Sequence, residues 1–162
     1  MKIEIITIGV YGFTEDEFFK ALTDNRVDTF CDIRQRRGMR GSTYAFANSQ
    51  RLQARLNTLG IRYHHCRNLA PSPATRQHQK SADTRSGTSK RARSLLSPSF
   101  IDAYRDECLS TFHAEAFLKE VASDAKVIAL FCVEREPYAC HRSVVAEELA
   151  RELGTQVKHI TP

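Results

Sequence analysis

Residues 126–153 read KVIALFCVEREPYACHRSVVAEELAREL, and this stretch decides the fold. Its apolar run, Val127 to Phe131, is typical of a strand buried on both faces of a parallel sheet. After a polar turn, Val145, Leu149 and Leu153 recur at helical spacing. The stretch therefore predicts a strand, a loop and a helix. In parallel sheets, ligands bind outside the carboxyl ends of such strands.

The rest of the chain repeats this alternation of strands and helices. Further strands are predicted at 3–8, 27–33, 61–65 and 155–160. A capping box, Thr14 to Glu17, marks the start of the first helix. Strands alternating with helices predict a doubly wound, Rossmann-like α/β fold, mostly parallel, with about five strands and helices on both faces. At 162 residues, one domain covering 1–162 is expected.

Residues 71–99 stand apart from this pattern because they are rich in Ser, Arg, Thr and Pro. Such a composition buries too little apolar surface to offset its ordering entropy, so we expect an inserted loop, mobile unless it binds a ligand. The segment has six basic residues and one acidic residue, which accounts for the whole formal charge of +5. A basic patch indicates a polyanionic partner, although a solvated loop has the same composition.

Composition also narrows the cellular setting. No apolar run approaches the roughly 20 residues of a membrane span, and the first residues enter a strand pattern directly. The five cysteines lack the spacing of a disulfide scaffold. We therefore expect a cytoplasmic protein with free thiols and no membrane partner.

Reactive side chains follow the predicted strands where each ends. With the strand order 3-2-1-4-5, the turn 9–12 would face Cys132 and Glu134, with Asp32 and Arg34 one strand away. The candidate catalytic residues are Asp32, Glu134, Cys140 and His141. The candidate substrate- or anion-binding residues are Gly9, Tyr11, Arg34, Tyr63, Cys132 and Arg142.

The triplet at 140–142 predicts an anion site, because a helix start offers free amides and a positive dipole end. Arg142 adds a planar fork for phosphate or carboxylate, and the same field would stabilise a Cys140 thiolate. Cys132 fits a small buried residue better than a nucleophile. A phosphatase-type loop is excluded, because Tyr138 and Ala146 stand where that design needs an arginine.

Metal ligands of acceptable type occur in two groups. One comprises Cys132, Glu134, Cys140 and His141; the other is 64–66. Neither has the short Cys or His spacing of a structural zinc site, so no metal and no other cofactor is predicted. A Walker A loop and a dinucleotide-binding glycine pattern are also absent from the sequence.

Several short motifs together resemble a known family. They are Thr7-Ile8-Gly9, Asp32-Ile33-Arg34, Tyr63, Cys132-Val133-Glu134, Cys140-His141-Arg142 and Val157-Lys158-His159-Ile160. In this order they resemble the uncharacterised bacterial family DUF488 over most of the chain except 71–99. The resemblance implies that the residues of the D-x-R, C-x-E and C-H-R motifs form one site.

These observations predict a protein that binds a phosphate-bearing nucleotide or nucleic acid, as an enzyme or as a binding protein. Basic residues of two segments would follow a nucleic-acid backbone. They are Arg36, Arg37, Arg40, Arg76, Lys80, Arg85, Lys90, Arg91 and Arg93. One alternative is a non-catalytic module whose charged motifs brace loops and cap a helix. A second is a metal- or thiol-dependent enzyme acting on a small molecule.

Overall fold

A computed structural model describes residues 2–90 and 92–162. The strands are β1 (Glu4–Ile8), β2 (Thr29–Asp32), β3 (Arg62–His65), β4 (Val127–Phe131) and β5 (Val157–Ile160). The α-helices are α1 (Glu15–Asp24), α2 (Ser49–Thr58), α3 (Pro73–Ser86), α4 (Pro98–Tyr104), α5 (Ala114–Val121) and α6 (His141–Leu153). All paired strands are parallel, which confirms the predicted single-domain α/β fold with five strands.

The strand order is β3-β2-β4-β1-β5, so the expected order 3-2-1-4-5 is wrong. β4 pairs with both β1 and β2 and occupies the centre of the sheet. The central position suits this strand because all five of its residues are buried. A central parallel strand is covered on both faces and tolerates no polar side. As a result, Asp32 ends a strand that is directly adjacent to β4, and Arg34 lies just beyond it.

Helices cover both faces of the sheet, as predicted. On one face, alternate residues of β4 such as Ala129 and Phe131 pack in a cluster with α1 and α2. On the other face, Ile128 and Leu130 pack against α4, α5 and α6. The capping box is also confirmed: Glu17 N donates to Thr14 Oγ1, and Glu17 Oε2 accepts from Thr14 N.

The prediction of a loop throughout 71–99 is wrong, because α3 occupies half of this segment. Ser72 caps its first turn, Pro73 lies at its start, and Gly87 ends it with a positive φ of 68°. Hydrogen bonds rather than apolar burial hold the helix in place. Glu107 accepts from Ser72 N at 2.9 Å and from the Thr75 hydroxyl, so a polar sequence is ordered by polar contacts.

The parallel arrangement brings the carboxyl ends of all five strands to one edge of the sheet. The loop after β2, the loop after β4 and the first turn of α6 meet at this edge. In the described part of the chain, none of the helices has the length and apolarity needed to cross a membrane.

Candidate functional site: a basic cavity over two thiols

A cavity of about 560 Å³ lies at the carboxyl edge of the sheet. Its walls come from the loop after β2, from α3, from Lys90, Arg93 and Leu96, and from the loop between β4 and α6. Ligand pockets for small molecules have volumes of this size. The segment expected to be a mobile loop therefore forms one wall of the site.

Asp32 and Arg34 form a buried ion pair beside this cavity. Arg34 Nε and Nη2 donate to the two carboxylate oxygens of Asp32 at 2.9 and 2.8 Å, and Tyr63 Oη donates to Oδ2 at 2.7 Å. Burial, the largest influence, raises the pKa of Tyr63 to about 12. With three side-chain donors on its carboxylate and no exposure, Asp32 is a positioning group rather than an accessible base.

Arg34 is held on its other side as well. Its guanidinium lies 4.7 Å from the centre of the Phe131 ring, a cation–π distance. Its third nitrogen, Nη1, is buried and has no hydrogen-bond partner within 2–90 and 92–162. Arg34 lines the cavity, so the guanidinium is held rigidly at the cavity wall with one donor unsatisfied.

Arg142 lies behind the site and is fully buried. Its Nη1 donates to the Glu134 carbonyl at 2.5 Å, and its Nη2 donates to the Arg135 carbonyl at 3.1 Å. Gly9 allows this packing, because a Cβ there would lie 1.8 Å from the Glu134 carbonyl oxygen. Arg142 and Gly9, predicted to bind an anion, are thus placed to shape the loop that borders the cavity.

Cys132, Cys140 and His141 meet at the floor of the cavity, and all three are buried. Cys132 directly follows β4, whereas Cys140 precedes α6 and His141 is its first residue. His141 Nε2 lies 3.0 Å from the Ile33 carbonyl, which can only accept a hydrogen bond. Nε2 therefore carries a proton, and Nδ1 lies 3.8 Å from the Cys140 sulfur.

The two thiols differ in acidity. Burial alone would raise the pKa of Cys140, but the hydrogen bond with Cys132 and the charges of His141 and Arg142 hold it well below its usual value. The same hydrogen bond, followed by burial, raises the pKa of Cys132 well above its usual value. Cys140 is therefore the sulfur that loses its proton first.

Glu134 lines the cavity close to these thiols and is buried. Burial, the largest influence, raises its pKa, although its ion pair with Lys90 at 3.2 Å opposes the shift. On α3, Asp83 likewise pairs with Arg93, with an Nη1–Oδ2 distance of 2.7 Å. Both carboxylates that line the cavity are thus neutralised by basic partners.

The basic residues predicted to bind nucleic acid mostly converge on this cavity. Those that line it are Arg36, Arg40, Arg76, Lys80, Lys90 and Arg93. Arg37 instead donates to Tyr63 Oη at 3.4 Å, Arg85 is exposed outside the lining, and Arg91 lies outside the described residues. Basic residues from two segments, which α2 and β3 separate in the sequence, therefore line the same cavity.

Aromatic side chains form part of the rim. Tyr11 lines the cavity, and its ring lies 5.1 Å from that of Tyr44, another lining residue. The sequence did not single out Tyr44, nor the polar α3 residues Gln79 and Asp83. The available signals were the Ser72-Pro73 helix start and Gly87, which together predict α3 and hence a wall.

A family model described as a domain of unknown function, DUF488, matches residues 14–149. The chain belongs to this family. Neither the curated proteins nor the solved structures contain a match to this chain. Membership of this family establishes common ancestry but no activity.

In this DUF488 protein, the family-like motifs do meet at one place. The D-x-R and C-x-E motifs end neighbouring strands, and C-H-R begins the helix that follows β4. Within that set, the structure separates two roles. Arg34, Cys132, Glu134, Cys140 and His141 line the cavity, while Asp32 and Arg142 hold its walls from behind.

Proposed function

We propose that the cavity at the carboxyl edge of the sheet binds a phosphate-bearing small molecule of about nucleotide size. The convergence of seven basic side chains on one concave volume supports this most strongly. Among the described residues, two carboxylates line the same volume, those of Asp83 and Glu134, and both are already paired. An anion entering the cavity meets an uncompensated positive field.

Four of these basic residues are available to a ligand. Within residues 2–90 and 92–162, no carboxylate lies at salt-bridge distance from Arg36, Arg40, Arg76 and Lys80. Arg34 adds its buried, unpartnered Nη1. Charge-assisted hydrogen bonds from such groups are the strong contacts of phosphate sites.

The shape favours a small ligand over a nucleic-acid strand. A strand needs an extended basic groove that follows many phosphates, whereas here the charges surround a cavity of about 560 Å³. The rings of Tyr11 and Tyr44 at the rim offer a surface on which a planar base can stack. A nucleotide accounts for both features.

The floor of the cavity supports an enzyme rather than a passive binder. Cys140, His141 and Glu134 all line the volume that the ligand would occupy. These groups transfer protons or form covalent bonds in other enzymes. A purely bracing role explains Arg142 and Asp32. It does not explain why basic residues without a carboxylate partner line the cavity.

The test is calorimetric titration at low and moderate salt with inorganic pyrophosphate, adenosine diphosphate, adenosine, and short single- and double-stranded DNA. We expect binding of the two phosphate compounds, none of adenosine, and no steep salt-dependent binding of DNA. Failure of both phosphate compounds at low salt overturns the proposal. Tighter, strongly salt-dependent binding of DNA replaces it with the nucleic-acid alternative.

Two residues of α3 provide a matched pair of variants. Lys80 and Arg85 are both exposed on this helix, but only Lys80 lines the cavity. Lys80→Gln should weaken adenosine diphosphate binding about tenfold, the effect of losing one charge-assisted contact of about 1.4 kcal/mol. Arg85→Gln removes the same charge outside the cavity and should leave the affinity unchanged. Equal effects would indicate a general charge effect.

A further inference from the structure

The cavity brings together three side chains from one of the two groups of acceptable metal ligands in the sequence. One ligand atom from each of Cys132, Cys140 and His141 lies within 4.8 Å of the other two, and all three residues are buried. The cluster arises because the loop 133–139 folds back, so that the residue after β4 meets the start of α6. The resulting C-x7-C-H spacing matches no short metal-binding motif, which is why the sequence did not predict it.

The chemistry of the three groups suits a divalent transition metal. Thiolate sulfur and imidazole nitrogen are the ligands that zinc prefers, at about 2.3 Å for sulfur and about 2.0–2.1 Å for nitrogen. Ligand atoms at those distances around a tetrahedral ion are separated by less than the span of this cluster. Small side-chain movements therefore suffice for Cys132, Cys140 and His141 to surround one ion.

The orientation of His141 is a second, independent observation. Its Nε2–H is anchored on the Ile33 carbonyl at 3.0 Å, which leaves Nδ1 as the ring nitrogen on the side of the Cys140 sulfur. Metal-binding histidines typically donate their other ring N–H to a carbonyl or carboxylate, which fixes the tautomer and the ring. The fold thus holds this imidazole in the orientation that metal-binding histidines adopt, with Nδ1 toward the two thiols.

The surroundings leave a coordination position open. All three side chains line the cavity, so an ion bound there would have three protein ligands and one side accessible to a small molecule. That is the arrangement of catalytic rather than structural zinc sites. Two thiolates balance the double charge of the ion, so the basic cavity wall does not oppose its binding.

We propose that Cys132 Sγ, Cys140 Sγ and His141 Nδ1 bind one zinc-class divalent ion whose fourth position opens into the cavity. The ligand for that position is water or an anionic oxygen. This proposal does not depend on phosphate binding, since an ion can occupy the cluster whether or not the basic wall binds a nucleotide.

Metal analysis of wild-type protein purified without chelators and a Co²⁺ titration of the metal-free protein test the proposal together. We expect stoichiometric zinc, or stoichiometric uptake of Co²⁺ with the intense thiolate-to-cobalt absorption and the visible bands of a four-coordinate ion. Added Zn²⁺ should abolish both signals. If the folded wild-type protein neither contains nor binds either ion at micromolar concentration, the proposal is overturned.

Variants locate the ion. Cys132→Ser and Cys140→Ser should each lose at least tenfold in Co²⁺ affinity and part of the charge-transfer band. Cys66→Ser, at another buried cysteine outside the cluster, should match the wild type. An unchanged spectrum in Cys132→Ser and Cys140→Ser places the ion elsewhere and overturns the assignment. Circular dichroism of each variant checks folding, and the wild-type titration decides the matter if a variant does not fold.

Pyrophosphate added to the Co²⁺ protein tests the open position. A shift of the visible bands is expected if an anionic oxygen enters the coordination sphere. Bands that stay unchanged while calorimetry records pyrophosphate binding overturn the open position and leave phosphate binding intact. Bound Co²⁺ without any pyrophosphate binding overturns the proposed function and leaves the metal site intact.

Discussion

An aspartate–arginine pair lies at each end of β2, and the two pairs differ in distance and in solvent exposure. At the amino end, Asp28 pairs with Arg62 at 3.2 Å, with 30% and 40% of the side chains exposed. At the carboxyl end, Asp32 pairs with Arg34 at 2.8 Å, with 0% and 3% exposed. The same two residue types therefore form a solvent-exposed ion pair at one edge of the sheet and a buried ion pair at the other.

The difference indicates what each pair is for. An exposed pair contributes less than about 1 kcal/mol and ties strand ends together at the surface. A buried pair gains little over well-packed apolar residues, because desolvation offsets the attraction between the charges. Stability alone does not explain Asp32 and Arg34. The pair holds a guanidinium at the wall of the cavity, with one donor unpartnered within residues 2–90 and 92–162.

Breaking the buried pair should have the largest effect. Asp32→Asn leaves the Arg34 charge buried without a counterion, and we expect the free energy of unfolding to fall by about 3–5 kcal/mol. Urea denaturation followed by circular dichroism measures this. A loss below 1 kcal/mol would mean that water reaches the pair, contrary to its burial.

Replacing both partners sharpens the comparison. The double variant Asp32→Leu/Arg34→Met removes both charges but also the acceptor of Tyr63 Oη, so its free energy of unfolding should lie within about 2 kcal/mol of the wild type. Its affinity for adenosine diphosphate should nevertheless fall at least tenfold, because Arg34 Nη1 is gone. A stable double variant with wild-type affinity would show that the pair is unrelated to the ligand.

The glycine at the end of β1 tests the packing of the carboxyl edge. A Cβ at Gly9 would meet the Glu134 carbonyl oxygen at 1.8 Å, so Gly9→Ala must displace the loop after β4. We expect a loss of about 1–3 kcal/mol in the free energy of unfolding, measured by the same denaturation experiment. Gly38→Ala is the control, because its Cβ would meet only Asn48 Oδ1, at 3.9 Å. Similar losses in both variants would contradict this account of the edge.

Breaking the exposed pair should have the smallest effect. Asp28→Asn is expected to lower the free energy of unfolding by about 1 kcal/mol, because the side chain also accepts hydrogen bonds from Lys126 N and Val127 N, each at 2.9 Å. An effect as large as that of Asp32→Asn would remove the distinction between the two ends of β2.

The same residue gives a dependence on pH. Partial burial alone would raise the pKa of Asp28, but hydrogen bonds from Thr29, Val127, Lys126 and Arg62 lower it. Folding therefore favours the ionised carboxylate. Its contribution is complete above about pH 4, the unfolded value, and disappears as the pH falls through the lower folded pKa. The difference in stability between wild type and Asp28→Asn should shrink over that range.

The sequence predicted the elements of the fold well and the strand order poorly. The apolar run of β4 and the capping box at Thr14 can be recognised from a few consecutive residues. Which strands become neighbours depends on how whole layers pack, and no local pattern contains that information. The helical state of α3 was missed because its polar composition outweighed two local signals, the Ser72-Pro73 start and Gly87, and its contacts with Glu107 come from a distant segment.

For the candidate site, the sequence proposed a set of residues but not their arrangement. Its motifs end neighbouring strands, as expected for a carboxyl-edge site. Spacing along the chain could not reveal that Arg142 turns toward two backbone carbonyls, or that Cys132 meets Cys140 and His141. Both facts depend on the path of the loop after β4, which the close approach at Gly9 allows.

A crystal structure of the protein with adenosine diphosphate tests the central claim most directly. The account predicts a phosphate oxygen within hydrogen-bond distance of Arg34 Nη1, inside the cavity, with Lys80 or Arg36 on another oxygen. A nucleotide bound on the outer face of α3 near Arg85, or a cavity that stays free of nucleotide at saturating concentration, would contradict it.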